Sequence, residues 1–187
     1  REPVAHVLDV ATGTGDLAIM AAKAADRVTG ADISAGMLAV GREKVARAGL
    51  AHRVDLVQAD SSALPFAADT FDAITVAFGV RNYEDLQQGI NDMARVLKPG
   101  GRLFVLEFST PARTPFKQLF RFYFHRIMPL IGRLVSKDPA AYTYLPQSVA
   151  AFPQGPAFEA YLQRAGLQVM PAQLLTFGVA TLYTARK

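Results

Sequence analysis

Residues 4–19 read VAHVLDVATGTGDLAI, and the fold class is predicted from this segment. The apolar run from Val4 to Val10 predicts a buried β-strand. The glycine-containing turn from Ala11 to Gly15 separates this strand from an alanine-rich helix, predicted from about Leu17 to Ala25. A strand that enters a helix through a short glycine turn is the opening unit of many α/β folds.

Strand and helix patterns alternate after this unit. Ser34 predicts the cap of the second helix, and the segment Lys98-Pro-Gly-Gly101 predicts a turn that ends the third. The predicted strands cover residues 27–32, 54–58, 71–78, 102–108, 168–175 and 178–185, and the predicted helices cover 37–48, 84–96 and 156–165. This order predicts a doubly wound, mostly parallel seven-stranded α/β sheet, with ligands at the carboxyl ends of its strands. Residues 109–151 form a predicted helical insertion after the fifth strand.

The composition fits one compact domain. The chain has 187 residues, of which 51% are hydrophobic and 19% charged, so residues 1–187 can bury a single core. The absence of cysteine excludes disulfides and cysteine nucleophiles. Charged residues interrupt every apolar stretch before it could span a membrane, and a cytoplasmic location is expected. Because the chain enters its first strand almost at Arg1, we expect that an upstream N-terminal segment is missing.

The positive charge of the chain is concentrated in one segment. Residues 109–137 contain six basic residues and no acidic one, which leaves 14 basic and 16 acidic residues elsewhere. Within this segment, residues 114–135 combine phenylalanines with dispersed arginine and lysine, a composition typical of a helix lying on anionic lipid. We therefore expect peripheral contact with the inner face of a membrane, the alternative being a solvated basic face over a core stripe. A homodimer is also compatible with the sequence.

The glycine turn suits several nucleotide-like cofactors. Gly13 and Gly15 allow a ligand to approach the backbone and the first N–H groups of the helix. The segment from Gly13 to Ala18 also fits the dinucleotide fingerprint, so the glycines leave both a nicotinamide cofactor and S-adenosylmethionine open. Asp9 and Asp16 flank the turn and favour a cationic ligand, because a carboxylate about 4 Å from a sulfonium gains roughly 1–4 kcal/mol. A simple helix cap is the alternative role for Asp9.

Two further acidic positions follow strands. Asp32 ends the second strand, where a carboxylate can accept from ribose hydroxyls. Asp60 follows the third strand and can accept from an adenine amine, with Ser61 beside it. These positions extend the predicted site for S-adenosylmethionine.

A series of fragments resembles one family. FGVRN at 78–82 and YTYLPQSV at 142–149 are the most specific, since the glycine turn and Lys-Pro-Gly-Gly occur in many methyltransferases. The other fragments are LPF at 64–66, DTFD at 69–72, RVLKPGG at 95–101, LEFS at 106–109 and FGVATLYTARK at 177–187. Over nearly its whole length, the chain resembles the ubiquinone/menaquinone biosynthesis C-methyltransferase family.

The resemblance implies a Rossmann-like class I S-adenosylmethionine-dependent methyltransferase that methylates a ring carbon of a polyprenylated quinol. Demethylmenaquinol is the expected acceptor, and the benzoquinol precursor of ubiquinone is the alternative. The family's cofactor contacts fall on Thr14, Asp32, Asp60, Ser61 and Ala77. Some members have serine at the last of these positions, and alanine lacks that hydroxyl.

The chemistry requires ionisation of the quinol hydroxyl. A phenol with a pKa near 10 is about 0.1% ionised at neutral pH, and one nearby cation can offset the cost of roughly 4 kcal/mol. We predict that Arg81 supplies this cation and that Asn82 orients the quinol oxygen. Pairing of Arg81 with Glu84 or Asp85 on the next helix is the alternative.

The acceptor pocket is predicted in the insertion. Its candidate lining residues are Tyr142, Tyr144, Gln147 and Ser148, with ordinary packing of the insertion as the alternative. The sequence shows no cluster with metal-ligand spacing, so no metal is expected. Nucleic acid is not expected as a partner either, because residues 77–82 lack the Pro-Pro-aromatic motif typical of base-nitrogen methyltransferases. A different small-molecule methyltransferase, a non-catalytic cofactor-binding module and a nicotinamide oxidoreductase are the competing functions.

Overall fold

The computed structural model describes residues 4–111, 114–122 and 139–187, without the side chains of residue 121 and residues 139–143. The first half alternates strands and helices as predicted. Its elements are β1 (Val4–Val10), α1 (Asp16–Ala21), β2 (Ala25–Asp32), α2 (Ala35–Arg47), β3 (Val54–Gln58), β4 (Phe71–Ala77), α3 (Leu86–Val96) and β5 (Leu97–Phe108). A short 3-10 turn, Val80–Asn82, lies between β4 and α3.

The second half contains the insertion and the closing strands. Its described elements are α4 (Phe116–Phe122), α5 (Pro139–Ala151), α6 (Pro156–Arg164), β6 (Gln168–Leu175) and β7 (Ala180–Arg186). Residues 123–135 of the predicted lipid-binding segment lie outside the described residues. In the described ranges, no helix is both long and apolar enough to cross a bilayer.

The seven strands form one sheet in the order β3-β2-β1-β4-β5-β7-β6. Strands β1 to β5 are parallel, and β7 runs antiparallel to both β5 and β6. The chain reverses its direction of travel across the sheet between β1 and β4, where ligands bind in folds of this kind. The predicted doubly wound, mostly parallel fold is confirmed.

The core lies on both faces of this sheet. Side chains of a strand alternate between faces, and accordingly Leu8 packs with the α3 and α6 side while Val7 packs with the α1 and α2 side. Phe158 and Phe71 are fully buried, each contributing about 1.5–3 kcal/mol. The sheet is therefore a rigid support for the loops at its carboxyl edge.

Two boundaries differ from the sequence predictions. Helix α1 ends at Ala21, and β2 begins at Ala25, because the apolar and alanine-rich pattern does not mark where the helix stops. Strand β5 begins at Leu97, since Leu97 pairs with Phe71 before the predicted start of the strand at Arg102. The segment between them bulges from the ladder, with Gly100 at a positive φ of 80°.

Candidate active site

A cavity of about 680 Å³ opens at the carboxyl ends of β1, β2, β3 and β4. Its walls are the turn after β1, the β2–α2 junction, the loop after β3 and the segment between β4 and α3. We call it the donor cavity. Its lining residues are Val10, Ala11, Thr12, Gly13, Ala31, Asp32, Ile33, Met37, Ala59, Asp60, Ser61, Ser62, Ala77, Phe78, Gly79, Asn82, Tyr83, Glu84, Asp85 and Gln88.

Asp32 fixes the glycine turn at one wall of the donor cavity. One oxygen of its carboxylate accepts from the backbone N–H of Gly13 at 2.8 Å, and the other accepts from that of Ser34 at 2.8 Å. Gly13 has a positive φ of 57°, a conformation that glycine adopts without strain. Each oxygen retains a second lone pair and Asp32 lines the cavity, so the carboxylate can also accept from ligand hydroxyls.

The opposite wall approaches the same turn closely. A Cβ atom on Gly79 would lie only 2.5 Å from the Cβ of Ala11, so this position has room for glycine alone. The close approach brings the segment after β4 next to the turn after β1. The predicted cofactor and catalytic segments therefore meet at one edge of the sheet.

The donor cavity is acidic. Asp32, Asp60, Glu84 and Asp85 line it, and no basic side chain does so among the described residues. The Asp60 carboxylate accepts from the backbone N–H and the hydroxyl of Ser62, both at 2.8 Å, and these bonds lower its pKa. Such a wall favours a cationic ligand over a pyrophosphate.

Three of the predicted cofactor residues lie behind this wall instead of on it. Asp9 is 1% exposed and accepts from the hydroxyls of Thr12 at 2.6 Å and Thr75 at 2.7 Å. Burial raises the pKa of Asp9 to about 6. The hydroxyl of Thr14 bonds to Asp16 and Lys44 instead of facing the cavity. Gly15 caps α1 in a left-handed conformation.

The contribution expected from Asp16 needs correction. Its carboxylate is 72% exposed and forms an ion pair with Lys44 at 2.8 Å, outside the donor cavity. The acidic character of the cavity comes from the loops after β2, β3 and β4. The sequence could not show this, because the pairing with Lys44 depends on how α2 packs against the turn.

A second cavity, of about 450 Å³, lies beside the first. We call it the acceptor cavity. Tyr83 lines both cavities, so they share a wall. The other lining residues of the acceptor cavity are Val80, Arg81, Leu86, Tyr144, Gln147, Ser148, Ala151, Phe152, Pro153 and Tyr161.

The structure brings the predicted acceptor residues to this cavity. The Tyr144 hydroxyl donates to the Asn82 side-chain oxygen at 2.8 Å, which joins α5 to the donor cavity wall. Ser148 is buried, and its hydroxyl donates to the Leu145 carbonyl of its own helix. Gln147 also lines the cavity, while the side chain of Tyr142 lies outside the described residues.

Arg81 borders the acceptor cavity but pairs with a residue that the sequence did not indicate. Its Nη1 donates to the Glu107 carboxylate at 2.7 Å, with side-chain exposures of 11% and 0%. The expected alternative, pairing with Glu84 or Asp85, is therefore wrong, because the β4–β5 pairing places Glu107 closer. The available signal was the acidic residue that follows the apolar run Leu103–Leu106 of β5.

Tyr83 was also missed. Its hydroxyl is buried near Ser61 without a hydrogen-bond partner among the described residues, and burial raises its pKa well above its usual range. Tyr83 is therefore not a base at neutral pH. Within the described ranges, no group of three or more potential ligands could hold a metal ion.

The strand order, together with an acidic cavity at the turn after β1, defines the fold of class I S-adenosylmethionine-dependent methyltransferases. A SAM-dependent methyltransferase from Aquifex aeolicus matches with a TM-score of 0.67 and 20% identity, over 99% of this chain and 82% of its own. The [4+2]-cyclase SpnF matches with a TM-score of 0.75 and 19% identity, over 98% and 74%. Since a cyclase shares the fold, the fold does not identify the reaction.

Sequence comparison identifies the family. The model of the ubiE/COQ5 methyltransferase family matches residues 1–187. The demethylmenaquinone methyltransferase of Bacteroides fragilis is 50% identical over 184 residues, which are 97% of this chain and 75% of the relative. The ubiquinone/menaquinone biosynthesis C-methyltransferase UbiE of Geobacter sulfurreducens is 48% identical over 185 residues, 97% and 72%. The chain belongs to the ubiE/COQ5 methyltransferase family and is an S-adenosylmethionine-dependent methyltransferase.

Proposed function

We propose that this methyltransferase transfers a methyl group to a ring carbon of a polyprenylated quinol, with demethylmenaquinol as the acceptor. The names of the relatives from Bacteroides fragilis and Geobacter sulfurreducens support this acceptor class. The observation that carries the proposal is the shared wall between the donor and acceptor cavities at Tyr83. Asn82 lines the donor cavity and contacts Tyr144 of the acceptor cavity, so ligands in the two cavities approach each other beside Asn82.

S-adenosylmethionine fits the donor cavity by charge and by hydrogen-bonding groups. Asp32 accepts from the ribose hydroxyls, and Asp60 with Ser61 accepts from the adenine amine. Gly13 lets the ligand approach the turn, and Ala77 packs against it without a hydroxyl. When bound, this cofactor supplies an electrophilic methyl group.

The glycine turn of this site is supported from behind by Asp9, Thr14 and Gly15. The Asp9 carboxylate binds Thr12 of the turn, and Thr14 contacts the Lys44–Asp16 pair. Their substitution acts on the cofactor through the shape of the turn.

Arg81 and Asn82 act on the acceptor. Ionisation of a quinol hydroxyl at neutral pH costs about 4 kcal/mol, and a guanidinium that hydrogen-bonds the oxygen lowers this cost. Because Glu107 balances its charge, Arg81 acts mainly as a directed donor instead of a free cation. The Asn82 side-chain oxygen accepts from Tyr144, so the NH2 group of Asn82 is the part that donates to the quinol. The hydroxyl proton passes to water, the ring carbon takes the methyl group as the bond between methyl and sulfur breaks, and the ring proton then leaves to water.

The acceptor is tested by a transfer assay with purified protein. Short-chain demethylmenaquinol and the matching benzoquinol are each supplied with labelled S-adenosylmethionine, and the label in extracted quinone is counted. We expect demethylmenaquinol to be methylated at the higher kcat/KM. A preference for the benzoquinol would contradict this acceptor, and no transfer to either would contradict quinol methylation.

The exposed face around α4 contacts the membrane. Leu119 and Phe122 on this helix are each 60% exposed. Phe177 is 73% exposed and stacks on Phe116, with the ring centres 4.2 Å apart. Apolar side chains beside the exposed Lys117 suit an anionic lipid surface. A polyprenylated quinol lies in the membrane, so an enzyme that methylates it must meet it at the membrane surface.

Membrane contact is measured by sedimentation with phosphatidylglycerol vesicles. Leu119→Asp should reduce the bound fraction several-fold, while Val40→Asp, at an exposed position on α2, should not. Absence of binding at low salt would contradict the proposal. Light scattering without lipid tests the homodimer, which could cover the same face.

A further inference from the structure

We propose that Glu107 is a positioning residue, which holds the Arg81 guanidinium at the border of the acceptor cavity. This inference rests on the proposed function only for its catalytic consequence. It begins from the burial of Glu107, whose side chain is fully hidden at the carboxyl end of β5. A buried carboxylate is stable only when hydrogen-bond donors surround it.

Two of the three described donors around Glu107 belong to Arg81. Oε1 accepts from Arg81 Nη1 at 2.7 Å and from the Phe108 backbone N–H at 2.8 Å. Oε2 accepts from the Arg81 backbone N–H at 3.4 Å. Glu107 thus binds both the backbone and the side chain of the same residue, which fixes where the guanidinium points.

Two further contacts complete the clamp. Arg81 Nη1 also donates to the Phe78 carbonyl at 2.5 Å, and the guanidinium carbon lies 5.4 Å from the centre of the Phe108 ring. By contrast, Arg81 Nε is buried and has no hydrogen-bond partner among the described residues. Nη1 donates to two protein oxygens. Among the described residues, the other nitrogens of the guanidinium therefore remain as donors for an oxygen of the quinol.

The position of Glu107 follows from the sheet. Leu106 pairs with Ala77 in the β4–β5 ladder, so Glu107 lies next to the segment that carries Arg81. Glutamine at position 107 would keep the size of the side chain but replace one acceptor oxygen with a donor. Aspartate would keep the charge but shorten the reach by one methylene. Both changes should release the guanidinium, and only the first removes the charge.

The position of Arg81 is read by NMR on the substrate-free protein. The Arg81 Nε–H proton should exchange slowly with solvent in the wild type. Its exchange rate should be at least tenfold higher in Glu107→Gln and Glu107→Asp. Asp72→Asn is the matched control, since it breaks the Lys98–Asp72 pair at the other end of β4. An unchanged exchange rate in both Glu107 variants would overturn the proposal.

The catalytic consequence is measured with the quinol assay and a double-mutant cycle. Glu107→Gln should lower kcat at least tenfold, with less than a twofold change in S-adenosylmethionine affinity. In an Arg81→Met background the same substitution should change kcat less than twofold, because there is no guanidinium to position. Equal losses in both backgrounds would show a structural role only and overturn the proposal. If the wild type methylates no quinol, the proposed function fails, while the NMR result still decides the position of Arg81.

Discussion

The donor and acceptor cavities share a wall but are built in different ways. The donor cavity is formed by loops at strand ends, and Asp32 fixes its turn through backbone hydrogen bonds. The acceptor cavity is formed by α5 and the segment after β4, and side-chain contacts such as Tyr144 to Asn82 and Arg81 to Glu107 hold it. The donor side therefore follows from the fold, whereas the acceptor side depends on a few individual pairs.

The largest effect, a loss of S-adenosylmethionine affinity, is expected at Asp32, which holds the turn of the donor cavity. Asp32→Asn removes a charged acceptor from the turn and from the proposed contact with the ribose hydroxyls, which should weaken S-adenosylmethionine binding by on the order of 3–4 kcal/mol, or 100- to 1000-fold. Calorimetry measures the dissociation constant. Asp26→Asn, at the exposed amino end of the same strand, is the control and should bind normally. A loss below tenfold at Asp32 would mean that the donor site lies elsewhere.

A smaller effect, on the pH dependence of the free energy of unfolding, is expected from the buried Asp9 carboxylate. Burial raises the pKa of Asp9 from 3.8 to about 6, so folding favours its protonated form. This contribution is fully present below pH 3.8 and is lost as pH rises through 6, a change of about 3 kcal/mol. Asp9→Asn should therefore have a flatter dependence of unfolding free energy on pH between 4 and 7. Urea unfolding measures this, and parallel wild-type and variant curves would contradict a raised pKa.

The smallest effect is expected at the contact that joins the two cavities. Tyr144→Phe removes one hydrogen bond to Asn82, worth about 0.5–1.5 kcal/mol. We expect kcat/KM for the quinol to fall up to tenfold with unchanged affinity for S-adenosylmethionine. Steady-state kinetics tests this with Thr70→Val as control, since it removes one hydroxyl hydrogen bond, to the Ala67 carbonyl, at a position that lines neither cavity. Weakened cofactor binding in Tyr144→Phe would mean that the cavities are not separable.

The same contrast explains what could be predicted from the sequence. Apolar runs and the glycine turn predicted the parallel sheet and placed Asp32 and Asp60 at one edge, because strand ends align in such a sheet. The pairs Arg81–Glu107 and Asp16–Lys44 join residues 26 and 28 positions apart, so local spacing did not indicate either pair. The bulge after Leu97 was missed for the same reason, since it depends on the register with β4.

The most direct test of quinol C-methylation is the position of the transferred group. The protein is incubated with short-chain demethylmenaquinol and S-adenosylmethionine carrying a deuterated methyl group, and the oxidised product is examined by mass spectrometry and NMR. We expect a quinone with the label on a ring carbon. A labelled methyl ether, which cannot oxidise to the quinone, or a product without label would contradict it.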